Sequence, residues 1–183
     1  MKGFMFNQFF DYVEQTMSYS IIDKIIGKCN LESGGAYTSI GTYSSQEMLS
    51  LVAALSEETN QPVHQILLNY GEYLFGIFCK KYPQFIQEKS NVFQFLSSVE
   101  TYIHTEVKKF YKDAQLPHFA CTQVSPDQFI MVYTSSRPLT DLAEGLISGC
   151  IKYHQEDITI SREDIAVKHG AKAKFTLTRK GRA

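Results

Sequence analysis

NVFQFLSSVETYIHTEVKKFYKDAQLPHFACTQVSPDQFIMVYTSSRP, residues 91–138, holds the change of pattern that decides the fold. Up to Tyr111 the apolar residues Phe93, Leu96, Val99, Ile103, Val107 and Phe110 recur at steps of three and four. That spacing predicts a helix over about Asn91–Tyr111 with one buried face. After Pro117 the texture changes. His118–Val124 and Gln128–Tyr133 are β-rich, and Ser125-Pro126-Asp127 between them reads as a turn, so the spacing predicts a hairpin. The boundary falls near residue 115.

Working outward, the residues before this stretch read as helices. One covers roughly Lys2 to Met17, and a short one runs from Ile21 to Cys29 before the Gly34-Gly35 loop. Ser44 followed by Glu47 matches a capping box and opens a helix carrying Met48, Leu51, Val52 and Leu55. Pro62 suits the first position of the next, which carries Ile66, Leu67, Tyr70, Leu74, Phe75 and Phe78 and should stop near Tyr82-Pro83. After the hairpin, Pro138 starts a helix through Leu142, Leu146, Ile147 and Cys150, and Ile158–Ile160 and Lys174–Thr178 read as closing strands. Helices followed by strands predict an α+β fold. The expectation is one domain over residues 1–183. Its helical part ends near 115, and its α/β part, with a small antiparallel sheet and one or more helices, runs from about 116.

The chain has 183 residues, long enough to bury roughly two thirds of its unfolded surface without staples. Charged residues are 20% and hydrophobic ones 44%, the balance of a globular protein rather than a disordered chain or coiled coil. Eighteen Lys and Arg against nineteen Asp and Glu leave a net charge of −1, so no bulk field draws the chain to nucleic acid or anionic lipid. Thirteen Phe and eleven Tyr with no Trp predict an aromatic-rich core or pocket. Cys29, Cys79, Cys121 and Cys150 are far apart in sequence and read as reduced thiols. No Cys or His pair shows zinc-ligand spacing. Asn7, Gln8 and Asp11 interrupt the apolar start before it reaches signal-peptide length, and no run is long enough to insert in a membrane, so a cytoplasmic location is expected. Lys180–Ala183 reads as a frayed end.

No dinucleotide fingerprint, P-loop or nucleophile elbow is present. Among the histidines, His64, His118, His154 and His169 sit in polar or loop-like surroundings where a solvated ring is the default. His104 instead lies at the edge of an apolar helix face, in line with Phe93 and Glu100. Such a residue is either a satisfied boundary histidine or an axial ligand presented into an apolar pocket. Tyr133, Ser135 and Arg137 share one face of an extended chain. They form either a polar outer strand face or a carboxylate clamp of two hydroxyls and a guanidinium fork. An aromatic pocket, a helix-borne histidine and a carboxylate clamp together describe a haem site.

On these residues the chain resembles the H-NOX (haem–nitric oxide/oxygen-binding) domains, related to the haem domain of soluble guanylate cyclase. The match is carried by Met1-Lys2-Gly3, by His104 with Pro117 thirteen residues later, and by Tyr133, Ser135 and Arg137 as Tyr-x-Ser-x-Arg. Gly71, Glu144-Gly145-Leu146 and the overall length also fit. The resemblance implies haem b, iron protoporphyrin IX, buried between the helical and α/β parts, with His104 as axial ligand and Tyr133, Ser135 and Arg137 on the propionates. Met5, Phe9, Leu74, Phe78, Pro117, Leu142 and Leu146 are implied to line the pocket. Oxygen-binding members place a tyrosine where Leu142 stands, with polar partners near Phe9 and Leu74. All three positions are apolar here, which resembles the branch binding NO and CO at ferrous haem.

The resemblance further implies a sensor without catalysis of its own. NO weakens the His104–iron bond, the helix bearing His104 shifts, and a separate histidine kinase or diguanylate cyclase reads the change. Some relatives carry a zinc-binding Cys/His cluster near the C-terminus; residues 165–174 here contain no cysteine, so no zinc is expected. Three other readings stay open: an O2 sensor or carrier on the same fold, a peroxidase-type enzyme needing a distal acid–base pair, and a haem-free interaction module.

Overall fold

The computed structural model describes residues 1–87 and 89–181; Arg182 and Ala183, part of the expected frayed end, lie outside them. The elements in order are α1 (Gly3–Thr16), α2 (Tyr19–Lys28), α3 (Ser45–Thr59), α4 (Val63–Lys81), α5 (Gln84–Gln87), α6 (Val92–Ser98), a π-helical turn (Val99–Ile103), α7 (His104–Phe110), β1 (His118–Ser125), β2 (Gln128–Ser135), α8 (Thr140–His154), β3 (Ile158–Ile165) and β4 (Ala171–Arg179). The class is α+β, as the pattern predicts. The chain divides into two compact units, Met1–Tyr70 and Gly71–Ala183, so the division falls inside α4. The change from helices to strands near residue 115 lies within the second unit.

The first unit packs α1, α2, α3 and the start of α4 around Phe6, Phe9, Val13, Ile25, Leu51, Leu55 and Ile66, all fully buried. Tyr37 stacks on Phe6 at 4.1 Å, and the Tyr70 hydroxyl donates to the Met5 carbonyl at 2.6 Å. Ser44 caps α3 by accepting from the Gln46 N–H at 3.2 Å. Glu47 does not complete the expected capping box. Its carboxylate is buried and accepts from the Ser33 and Tyr37 hydroxyls instead, because a buried carboxylate needs donors that the exposed Ser44 N–H does not bring inside.

In the second unit the four strands pair antiparallel in the order β1-β2-β4-β3. One face is apolar and buried: Phe129, Met131 and Tyr133 on β2 stand opposite Leu177, Phe175 and Ala173 on β4. This one-sided alternation is what an antiparallel sheet with one covered face requires. Helices α6 and α8 supply the cover; Phe93 of α6 stacks on Phe129 at 5.2 Å. Ion pairs fix the helices in place. Arg162 on β3 holds Asp141 and Glu144 of α8, and Glu72 of α4 accepts from Ser148 and Lys152 of α8, both at 2.6 Å. At Gly71 a Cβ would fall 2.5 Å from the Leu142 carbonyl, so α4 and α8 cross backbone to backbone. Gly170 has φ +77°, and a Cβ there would meet the Ser135 carbonyl at 2.0 Å, which lays the β3–β4 turn against the end of β2.

Two further expectations need correction. The long helix over Asn91–Tyr111 is broken by the π-helical turn at Val99–Ile103. One extra residue per turn rotates the next helical segment by roughly 100°, so the apolar stripe leaves the core after Ile103 and Phe110 is 77% exposed. His154 is not a solvated ring: among the described residues its buried Nε2 has no hydrogen-bond partner, and Tyr153 and Phe95 flank it at 5.3 and 6.4 Å.

Burial disfavours the charged His154 ring and holds its pKa below the ordinary histidine value, against the pull of Glu156. A depressed folded-state value means stability that is complete above the unfolded pKa of about 6.5 and is lost as pH falls below it. Urea unfolding at pH 7.5, 6.5 and 5.5 should therefore show the His154→Phe variant losing less stability on acidification than the parent chain.

Candidate functional site

The π-helical turn delivers His104 to the start of α7, where its side chain is 13% exposed. The ring lies 5.7 Å from Phe119, and Phe119 lies 5.6 Å from Tyr133, so an aromatic row joins His104 to the head of the Tyr133–Arg137 segment. Burial is the main influence on the imidazole and keeps its pKa below the ordinary range, with Glu100 opposing; the ring is therefore neutral near pH 7.

Glu100, four residues before His104, is the junction of this region. Its Oε2 faces His104 Nδ1 at 3.3 Å and accepts from the Phe119 N–H at 3.0 Å, while Oε1 faces His118 Nδ1 at 2.9 Å. Burial works to raise the Glu100 pKa, but the His118 hydrogen bond, the Phe119 N–H and the neighbouring His104 outweigh it, so the carboxyl stays below its usual value and ionised. An ionised carboxylate only accepts, so the proton on His104 sits on Nδ1 and the lone pair on Nε2. Nε2 makes no hydrogen bond among the described residues. It is the atom that remains available to a metal.

The extended face expected over Tyr133, Ser135 and Arg137 ends with β2 at Ser135: the chain bends at Arg137, and the two hydroxyls meet its main chain while its guanidinium turns to Gln115. Tyr133 is 2% exposed, and its hydroxyl donates to the Arg137 carbonyl at 3.3 Å. The Ser135 hydroxyl oxygen accepts the Arg137 N–H at 3.1 Å. Both hydroxyls thus shape the turn at Arg137, and burial raises the pKa of the Tyr133 phenol. The Arg137 guanidinium donates to the Gln115 carbonyl at 2.7 Å and to its Oε1 at 3.1 Å. A carboxylate pair would suit the same fork.

Of the apolar candidates, Leu74 and Leu142 are buried, and Phe78, Leu146 and Pro117 are half-buried, all in the second unit. Met5, half-buried, and Phe9, fully buried, belong to the first. Sequence reasoning places Glu100 on the helix face but misses its role; the i to i+4 spacing to His104 is the available signal. Gln115 carries none. Among the described residues no group of three or more His, Cys, Asp or Glu is gathered as a metal cluster, and no helix is long and apolar enough to cross a membrane.

A family model described as Haem-NO-binding matches residues 2–162. The solved H-NOX protein from K. algicida, in its Fe(II) unliganded form, is 35% identical and superposes with a TM-score of 0.92, covering 100% of this chain and 98% of that one. The H-NOX from Shewanella woodyi, solved in the Fe(II)CO state, is 36% identical with a TM-score of 0.83, covering 98% of this chain and 95% of that one. An H-NOX protein from S. oneidensis in the Fe(II)NO state shares the fold at a TM-score of 0.89 and 24% identity, covering 99% of this chain and 100% of that one. No curated protein matches the chain.

The Tyr133–Arg137 bond can be tested without any ligand. Tyr133→Phe should lower the stability of the haem-free chain by about 0.5–1.5 kcal/mol, seen as a lower urea midpoint at unchanged slope.

Proposed function

The chain belongs to the haem-NO-binding family, a family of haem-binding gas-sensor domains, and on that premise we propose that it is an NO sensor acting on a separate partner. The observation that carries this reading is the state of His104: half-buried, neutral, its Nδ1 held by Glu100 and its Nε2 free. That is the form in which a histidine ligates iron, so the residues fit the cofactor the family implies. Bound there, iron protoporphyrin IX would supply an open iron position for a diatomic gas.

In this proposal His104 Nε2 holds the iron. Arg137, steadied by Tyr133 and Ser135, offers its fork to the propionates in exchange for Gln115. Leu74, Phe78, Leu142, Leu146 and Pro117 provide apolar surface. Leu74 and Leu142 present no hydrogen-bond donor. Dioxygen on ferrous haem carries partial negative charge and depends on a donor, whereas NO and CO do not, so the apolar positions favour the latter two. The signal leaves through His104: it opens α7, and Glu100 ties the same region to β1, so displacement of the ring is felt at the sheet. A histidine kinase or diguanylate cyclase in the cytoplasm is the proposed reader.

The experiment is an absorption spectrum of the dithionite-reduced protein, then in air, then with NO. The expected result is a five-coordinate ferrous spectrum that forms no stable adduct in air and becomes a five-coordinate nitrosyl with NO. A stable, reversible new spectrum in air would contradict the NO-selective reading and favour an O2 sensor or carrier. A colourless protein that takes up no haem would contradict the sensor reading altogether.

A further inference from the structure

We propose that Glu100 is the positioning residue for the proximal histidine. In this role it sets the donor strength of His104 Nε2 and couples the ring to β1. The inference rests on the assignment of His104 as iron ligand.

Three nitrogens converge on the Glu100 carboxylate: His104 Nδ1 at 3.3 Å, the Phe119 main-chain N–H at 3.0 Å and His118 Nδ1 at 2.9 Å. The first lies on Glu100's own helical segment; the other two lie on β1, eighteen and nineteen residues on. One side chain therefore spans the elements on either side of the Tyr111–Pro117 connection. The π-helical turn containing Glu100 is the local irregularity that accompanies this arrangement, and such turns recur at functional positions. A carboxylate accepting from the second nitrogen of a metal-bound imidazole fixes its tautomer and orientation and raises its basicity. The main-chain N–H of Phe119 competes for the same Oε2, so β1 and the imidazole share one acceptor. If β1 moves away, more of the negative charge is left to His104; if the ring moves, Phe119 loses its competitor. Neither His118 nor Phe119 touches the iron in this scheme. They act through Glu100.

Resonance Raman spectroscopy of the ferrous holoprotein reads the iron–histidine stretching band directly. Glu100→Gln should move this band to lower frequency, because a neutral amide withdraws the charge that strengthens Nε2. Glu100→Asp keeps the charge but retracts it, and should shift the band in the same direction by less. His118→Gln should lower the urea midpoint without lowering the band, which separates bracing from positioning. In the haem-free full chain, ring-nitrogen NMR should find His104 protonated on Nδ1, a readout that needs no variant to fold. A wild-type band that stays in place in both Glu100 variants overturns the inference while leaving the ligand assignment intact, as does a ring protonated on Nε2. A wild type with no iron–histidine band overturns the assignment and this inference with it.

Discussion

The carboxylate of Glu100 ties the helical run that carries His104 to β1 in the second unit. Against the effect of burial, His118, the Phe119 N–H and the neighbouring His104 keep its pKa below the usual value, and an ionised acceptor favours the His104 proton on Nδ1. With the proton on Nδ1 the lone pair lies on Nε2, the atom proposed to hold the iron. The surrounding packing serves the same end. Phe119 and Tyr133 form a row beside the ring, and the Tyr133–Arg137 turn is closed by its own hydroxyls.

The second constraint is the close crossing of α4 and α8. Gly71 is set against Leu142 and Gly145, and Arg162 of β3 and Glu72 of α4 hold α8 through Asp141, Glu144 and Ser148. The ion pairs that secure α8 are partly exposed, so each contributes modestly, and the backbone contact carries more of the constraint.

Much of this is legible in the sequence because it is periodic or local. The three-residue spacing of Phe93 and Leu96 locates α6, and the β-rich run ending at Tyr133 locates β2. The hairpin lies where its turn residues put it. The π-helical turn is not legible: an inserted residue leaves the composition of the stripe unchanged, so the spacing predicts a buried Phe110 that is in fact exposed. Glu47 misleads for a related reason, since a capping-box pattern cannot show that the acid will be drawn inward by Ser33 and Tyr37. Gln115 meets Arg137 across twenty-two residues of chain, a pairing that no short-range pattern encodes. His154 shows the same limit, since one of the rings flanking it, Phe95, comes from a different helix.

The proposed function depends on His104 as the iron ligand, and the most direct measurement is the ferrous absorption spectrum of His104→Gly with and without added imidazole. Loss of the wild-type spectrum and its partial return with imidazole is the predicted result, because the cavity left by the side chain admits a free ring to the same position. A variant that keeps the wild-type ferrous spectrum without imidazole would contradict it.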